Sequence, residues 1–350
     1  MDSLFAGNPH ARVGRGSTRS PSSLPRARWT LIAVAVVLVA GAHRAPAQDE
    51  EAPEYAVQAP LAAHSLALDA VAVDGALVAV GHRGHILISS DGGDTWEQAE
   101  VPTRATLTGV DFYDRNLGWV AGHDSVILRT KDGGVTWERV HWAPEDEAPL
   151  FDIWFADADN GIAIGAYGSY YTTSDGGTTW DSEPIGDSDW HLHQIARSAD
   201  GRMYIAAEAG TAYRSDDGGA TWSDLPSPYG GSFFGVLPLE DDVVLLFGLR
   251  GHLFRSEDAG ESWEGIETGT VAMLTDGIRL PDDRILITGL GGTLLVSEDG
   301  GRSFELQEQA SRRGIQAAVV ASDDSLLLVG EFGVRMLPMN ELKRKGSVAP

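Results

Sequence analysis

The chain contains no cysteine among its 350 residues. That excludes disulfides, thiolate chemistry, zinc–thiolate sites and a lipidated N-terminal cysteine. Positive charge is also scarce: 26 Lys and Arg stand against 51 Asp and Glu, a formal net charge of −25, so binding to a nucleic-acid backbone is not expected. Long apolar runs are missing, with one exception at Trp29 to Ala42, which is shorter than the roughly 20 residues a membrane-spanning helix needs. Arg12, Arg15, Arg19, Arg26 and Arg28 precede that run and Ala45-Pro46-Ala47 follows it, the order of an export signal cleaved after Ala47. Removing residues 1–47 takes away six arginines and one aspartate, leaving 20 basic and 50 acidic residues. Such a charge suits a soluble exported chain. The expectation is a periplasmic or secreted monomer with no membrane insertion after cleavage.

What the sequence has in abundance is one repeated phrase. Ser/Thr-x-Asp-Gly-Gly-x-Ser/Thr-Trp, or a close variant, recurs six times, with its aspartate at Asp91, Asp132, Asp175, Asp217, Asp258 and Asp299. A period of 41 to 43 residues means one supersecondary unit used repeatedly. The second repeat is typical: short apolar runs at Leu107–Phe112, Leu117–Ala121, Val126–Thr130 and Thr136–Val140 are separated by turn signals. Four strands in that length make one blade of a β-propeller, which protects its edges by closing a ring.

A second recurring turn lies between the second and third strands: Gly81 to Gly84, Gly165 to Gly168, Gly248 to Gly251, Gly289 to Gly292 and Gly330 to Gly333, with weakened forms at Gly122-His123-Asp124-Ser125 and Glu208-Ala209-Gly210. These turns count seven blades where the aspartates count six. The seventh copy, Ile315 to Met339, has three strands and no aspartate turn, and Tyr55 to Leu61 at the other end has no evident partner. That segment is expected to complete blade seven. The fold class is therefore all-β, a single seven-bladed propeller with Asp-box turns, closed by an N-terminal strand. The expected organisation is 1–47 signal peptide, 48–53 acidic segment, 54–339 propeller and 340–350 tail.

In each box the aspartate can accept hydrogen bonds from the backbone of a tight turn. The first glycine is replaced by Ala259 in the fifth copy, whereas the second is always glycine, so only the second is expected to be left-handed. The aromatic that follows (Trp96, Trp137, Trp180, Trp222, Trp263, Phe304) should pack between sheets. Six identical copies argue for structural aspartates, since an active site does not come in six.

The boxes match the Asp-box, or BNR, repeat of sialidases, sortilin-type receptors and the photosystem II stability/assembly factor family. The chain most resembles the last, over Glu54 to about Pro338, in phrases such as Gly118-Trp119-Val120-Ala121-Gly122 and Asp132-Gly133-Gly134-Val135-Thr136-Trp137. That resemblance implies a non-enzymatic assembly factor that binds a membrane-protein intermediate, here an envelope or membrane protein, with photosynthesis not required. The alternative is a glycan-binding or glycan-hydrolysing, sialidase-like propeller. The Arg-Ile-Pro usual at such an enzyme's first arginine is absent.

In a propeller the turns between second and third strands share one face with the blade-to-blade connections. That connection face is expected to meet the partner, through Arg83, Arg104, Arg250, Arg312 and Arg313 as charged anchors and Trp190, Tyr229 and Phe233 as apolar ones. Arg129, Arg214 and Arg255 recur at equivalent third-strand positions and are expected to serve the repeat. His191 and His193 stand two apart, but spacing fixes no third ligand. Glu145-Asp146-Glu147 lacks a calcium-loop pattern. No metal, cofactor or catalytic residue is assigned.

Overall fold

The computed structural model describes residues 52–186, 188–322 and 324–342. The leader, the start of the acidic segment and residues 343–350 of the tail lie outside the described residues. The remainder folds into seven antiparallel meanders, six of four strands and one of three. Inner strands run Ala67–Val73, Leu107–Phe112, Leu150–Phe155, Leu192–Arg197, Phe233–Pro238, Leu274–Arg279 and Ile315–Ser322. Each packs against the next, and the seventh against the first. The ring of blades is closed.

The second strands, such as Gly118–Gly122 and Val244–Gly248, are buried at every residue except Ser325 at the start of the seventh. A sheet between two neighbouring blades has no solvent face, so its middle strand reads as a continuous apolar run. Seven apolar clusters fill the spaces between successive blades. Six of these hold a box aromatic: Trp96 between blades seven and one, Trp137 between one and two, then Trp180, Trp222, Trp263 and Phe304 in order. Between blades six and seven, Leu337, Met339 and Leu342 take that place.

Each box aspartate braces its own hairpin. One carboxylate oxygen accepts from the Ser or Thr hydroxyl two residues earlier and from the backbone N–H four residues later. The other accepts the hydroxyl four residues later, at 2.5 to 2.7 Å. These bonds favour the ionised form. Hydrogen bonds from Thr95 and then Ser89 hold Asp91 down to about 2. At Asp299 burial pushes upward, but bonds from Ser303 and Ser297 outweigh it and the carboxyl also lies at about 2.

Both glycines of the box are left-handed, which corrects the expectation for the first. Gly92 has φ 77° and Ala259, at the equivalent position, φ 58°, inside the small left-handed region an L-residue can reach. The second glycine lies further out, at φ 80° to 95°, and faces the preceding blade. A Cβ there would meet Met336 from Gly93, Ile88 from Gly134, Trp119 from Gly177, Ile162 from Gly219, Leu225 from Gly260 and Leu245 from Gly301. The second position is thus restricted twice, by φ and by the neighbouring blade.

The N-terminal segment does not complete blade seven. Residues 55–61 form no strand, and the seventh sheet has three. The segment lies instead along the outer margin of blade one: Ala56 N donates to Val101 O at 2.9 Å, and Gln98 bonds Val57 and Ala59 through its side-chain amide. Pro60 cannot donate to a ladder, and beyond it Ala62 and Ala63 pack between blades seven and one with Leu327 and Val334. The segment still spans the junction, as packing rather than as a strand.

Candidate functional site

Turns between second and third strands meet the blade connections on one face. Gly168 N donates to Trp190 O at 3.0 Å, His123 N to Thr106 O at 2.8 Å and Glu208 N to His191 O at 2.9 Å. The apex residue of these turns is left-handed: Arg83 and Arg250 at φ 59°, Tyr167 and Ala209 at φ 55°. All four apices are exposed.

The arginines divide by what they touch. Arg129, Arg214 and Arg255 bond Glu138, Glu261 and Glu257, and each also donates to a carbonyl in the next blade's box, at Gly176, Ala259 and Gly300. They serve the repeat. Arg104 ties down the N-terminal segment through Glu54 at 3.1 Å and Tyr55 O at 3.0 Å. Arg312 pairs with Glu308 at 2.9 Å and Arg313 donates to the Glu331 carbonyl. Arg83 and Arg250 make no ion pair or hydrogen bond with a side chain among the described residues, so their charge faces solvent.

The apolar anchors separate in the same way. Trp190 is 38% exposed and its carbonyl accepts from Gly168 N, next in the chain to Tyr167, which is 62% exposed. Tyr229 is half-buried on His252, with ring centroids 4.1 Å apart. Phe233 is fully buried with Tyr204 and Phe254, which corrects its assignment as a surface anchor. The adjacent Phe234 turns to the channel and meets His193 at 4.7 Å.

The reason is a bulge that recurs in every blade. The register slips near the start of each inner strand, leaving Leu68, Thr108, Phe151, His193, Phe234, Thr275 and Gln316 without a partner. A bulge re-aims a side chain, so consecutive residues can face one side. All seven bulged residues line a cavity of about 220 Å³ at the connection-face end of the channel, with Asp69, Asp152, Gln194, Asp276 and Met273. Strict alternation would have turned half of these away. His191 and His193, weighed as metal ligands, stand with rings 6.2 Å apart and both against Phe151. Burial, then His191, pushes His193 down to about 4.

Below the bulge, polar side chains link blade to blade. Val110 N donates to Asp69 Oδ2 at 2.8 Å, Ile195 N to Asp152 Oδ2 at 2.9 Å, Val236 N to Gln194 Oε1 at 2.9 Å and Ala318 N to Asp276 Oδ2 at 3.0 Å. Blade two has Gly109 at this position. Asp111, two residues on, makes the equivalent bond to Phe155 N at 2.7 Å. Burial raises these carboxyls, Asp111 to about 6 and Asp152 to about 7. Asp69 is raised well above the ordinary range by burial and then by Asp152, and Asp276 is raised by burial.

The fold and this face define a seven-bladed Asp-box propeller whose connection surface carries Arg83 and Arg250, unpaired among the described residues, and the exposed rings of Tyr167 and Trp190. A family model described as photosynthesis system II assembly factor YCF48 matches residues 49–146 and 143–282. The chain belongs to that family. A solved structure described as YCF48 bound to D1 peptide is 21% identical, with a TM-score of 0.67 over 83% of this chain and 96% of that one. YCF48 from Cyanidioschyzon merolae is 17% identical, with a TM-score of 0.65 over 82% and 98%. A catalytically inactive virginiamycin B lyase from Staphylococcus aureus with quinupristin is 11% identical, with a TM-score of 0.68 over 80% and 98%. At these identities the structures share the fold alone. No curated protein matches the chain.

Proposed function

We propose that this chain is an exported, non-enzymatic assembly factor that holds an extended segment of an envelope or membrane protein on its connection face. The observation that carries it is the state of Arg83 and Arg250, exposed at turn apices and without a counter-ion, in a chain with twice as many acids as bases. Isolated cations on a rigid surface suit a carboxylate-bearing partner, because charge complementarity fixes orientation and speeds encounter. Trp190 and Tyr167 add exposed rings of the kind that dominate interfaces. The family match and the peptide recorded with one YCF48 structure support a polypeptide partner over a glycan. The leader at residues 1–47 supports export.

Crosslinking in intact cells, followed by identification of the captured protein, tests the proposal. Wild type should capture one envelope or membrane protein, and the Arg83→Ala/Arg250→Ala variant should lose it with an unchanged melting temperature. Equal capture by both would refute the assignment of the face.

A further inference from the structure

The cavity at the channel mouth has walls of two chemistries. Phe151, His193 and Phe234, from three successive blades, form a continuous aromatic wall with ring centroids 5.7 and 4.7 Å apart, and Met273 joins it. One residue further along three of the seven inner strands stand Asp69, Asp152 and Asp276. These carboxylates are bonded by backbone N–H groups and, for Asp276, by the Gln194 amide at 3.2 Å. No ion pair joins any of them to a basic side chain among the described residues. His193 supplies no resident cation, since its burial keeps the ring neutral and its Nε2 is both out of solvent and without a partner.

We propose that this cavity takes a basic side chain, lysine or arginine, of the segment bound on the connection face, its methylene stem on Phe151, Phe234 and Met273 and its cationic head among Asp69, Asp152 and Asp276. The proposal rests on the connection face being the binding face and adds what the bound segment must carry. Burial holds protons on Asp69 and Asp152 toward neutral pH, so a cation binds by displacing them, whereas an apolar occupant would bury the carboxyls further and give nothing back. An anion would add repulsion. A long cationic side chain matches both parts, because its stem is apolar and its head is attracted by aromatic faces as well as by carboxylates. The exposed Arg83 and Arg250 would then read acidic residues of the same segment at the rim. A partner carrying both signs in a set order would bind in one orientation.

The test uses the full chain with ¹³C-methyl methionine and observes Met273 in the wall, with Met203 and Met339 as buried controls outside the cavity. N-acetyl-lysine methylamide should shift the Met273 methyl saturably and leave the controls still, whereas the norleucine analogue should not move it. Asp152→Asn/Asp276→Asn should weaken the lysine probe about tenfold or more. Should that variant fail to fold, Phe234→Leu removes one of the wall's three rings without touching the inter-blade bonds and should also weaken it. Unaltered affinity in whichever variant folds overturns the proposal. So does a silent Met273 or an equal response to norleucine. The probes need no partner protein, so these outcomes bear on the cavity alone, while capture from cells bears on the face.

Discussion

Gln194 and Asp276 meet across the channel: Gln194 Nε2 donates to Asp276 Oδ1 at 3.2 Å while Gln194 Oε1 accepts Val236 N from the next blade. One amide thus joins blades four, five and six. Gln194→Leu keeps the length but leaves the Val236 N–H without its acceptor, and an unsatisfied buried donor costs about 1–3 kcal/mol. Urea denaturation should show that loss with little change in the denaturant slope.

Phe233 and Phe234 are adjacent but do different work. Phe233→Ala empties a fully buried site and should cost about 3–5 kcal/mol, whereas Phe234→Ala removes a channel wall and should cost far less. Thermal unfolding of the two variants separates them, and equal losses would contradict the bulged register.

The box glycines should also separate. At Gly92 a Cβ would meet nothing within 4 Å, while at Gly93 it would lie 2.4 Å from the Met336 sulfur. Gly92→Ala should cost about 1–2 kcal/mol, the ordinary penalty of a left-handed L-residue, as Ala259 already bears. Gly93→Ala should cost more, because it also disturbs the junction of blades one and seven. Chemical denaturation of both variants checks the order.

Two sets of aspartates give opposite pH dependences. The inter-blade carboxyls are raised by burial, Asp111 to about 6 and Asp152 to about 7 against an ordinary 3.8. A raised acid binds more protons folded than unfolded, so its contribution is present at low pH and is lost as pH rises through the folded value. Box carboxyls are depressed, Asp91 and Asp299 to about 2, and their contribution is lost as pH falls from the ordinary value toward 2. Stability should therefore peak near pH 4–5, decline toward neutrality and fall again in strong acid. Asp152→Asn should flatten the decline between pH 5 and 7 in a melting-temperature series, and an unchanged slope would contradict the shift.

The architecture was legible because Asp91 and its five counterparts announce a hairpin in each copy, and the Gly-x-x-Gly turns supply the count of seven. The structural role of Arg129, Arg214 and Arg255 was legible too, since they recur at one register, although their acid partners Glu138, Glu261 and Glu257 were not. The channel was not. Period-two alternation assigns Phe233 and Phe234 to opposite faces without saying which is inward, and the bulge that decides it has no residue signature, since Leu68, Thr108, His193 and Gln316 share no chemistry. The position of residues 55–61 was equally hidden. An extended segment entering between two blades can lie against either, and the side chains of Gln98 and Arg104 with one backbone bond to Val101, rather than a strand pattern, hold it to blade one.

The contact of Gly93 with Met336 joins the two ends of the described chain. The other five boxes lean on the sheet before them in sequence and blade seven packs on blade six without a box, so six of the seven seams join neighbours in sequence, with modest loop entropy. The seam that seals the circle must wait for almost the whole polypeptide. Its closure therefore carries the largest loop-entropy cost of the seven.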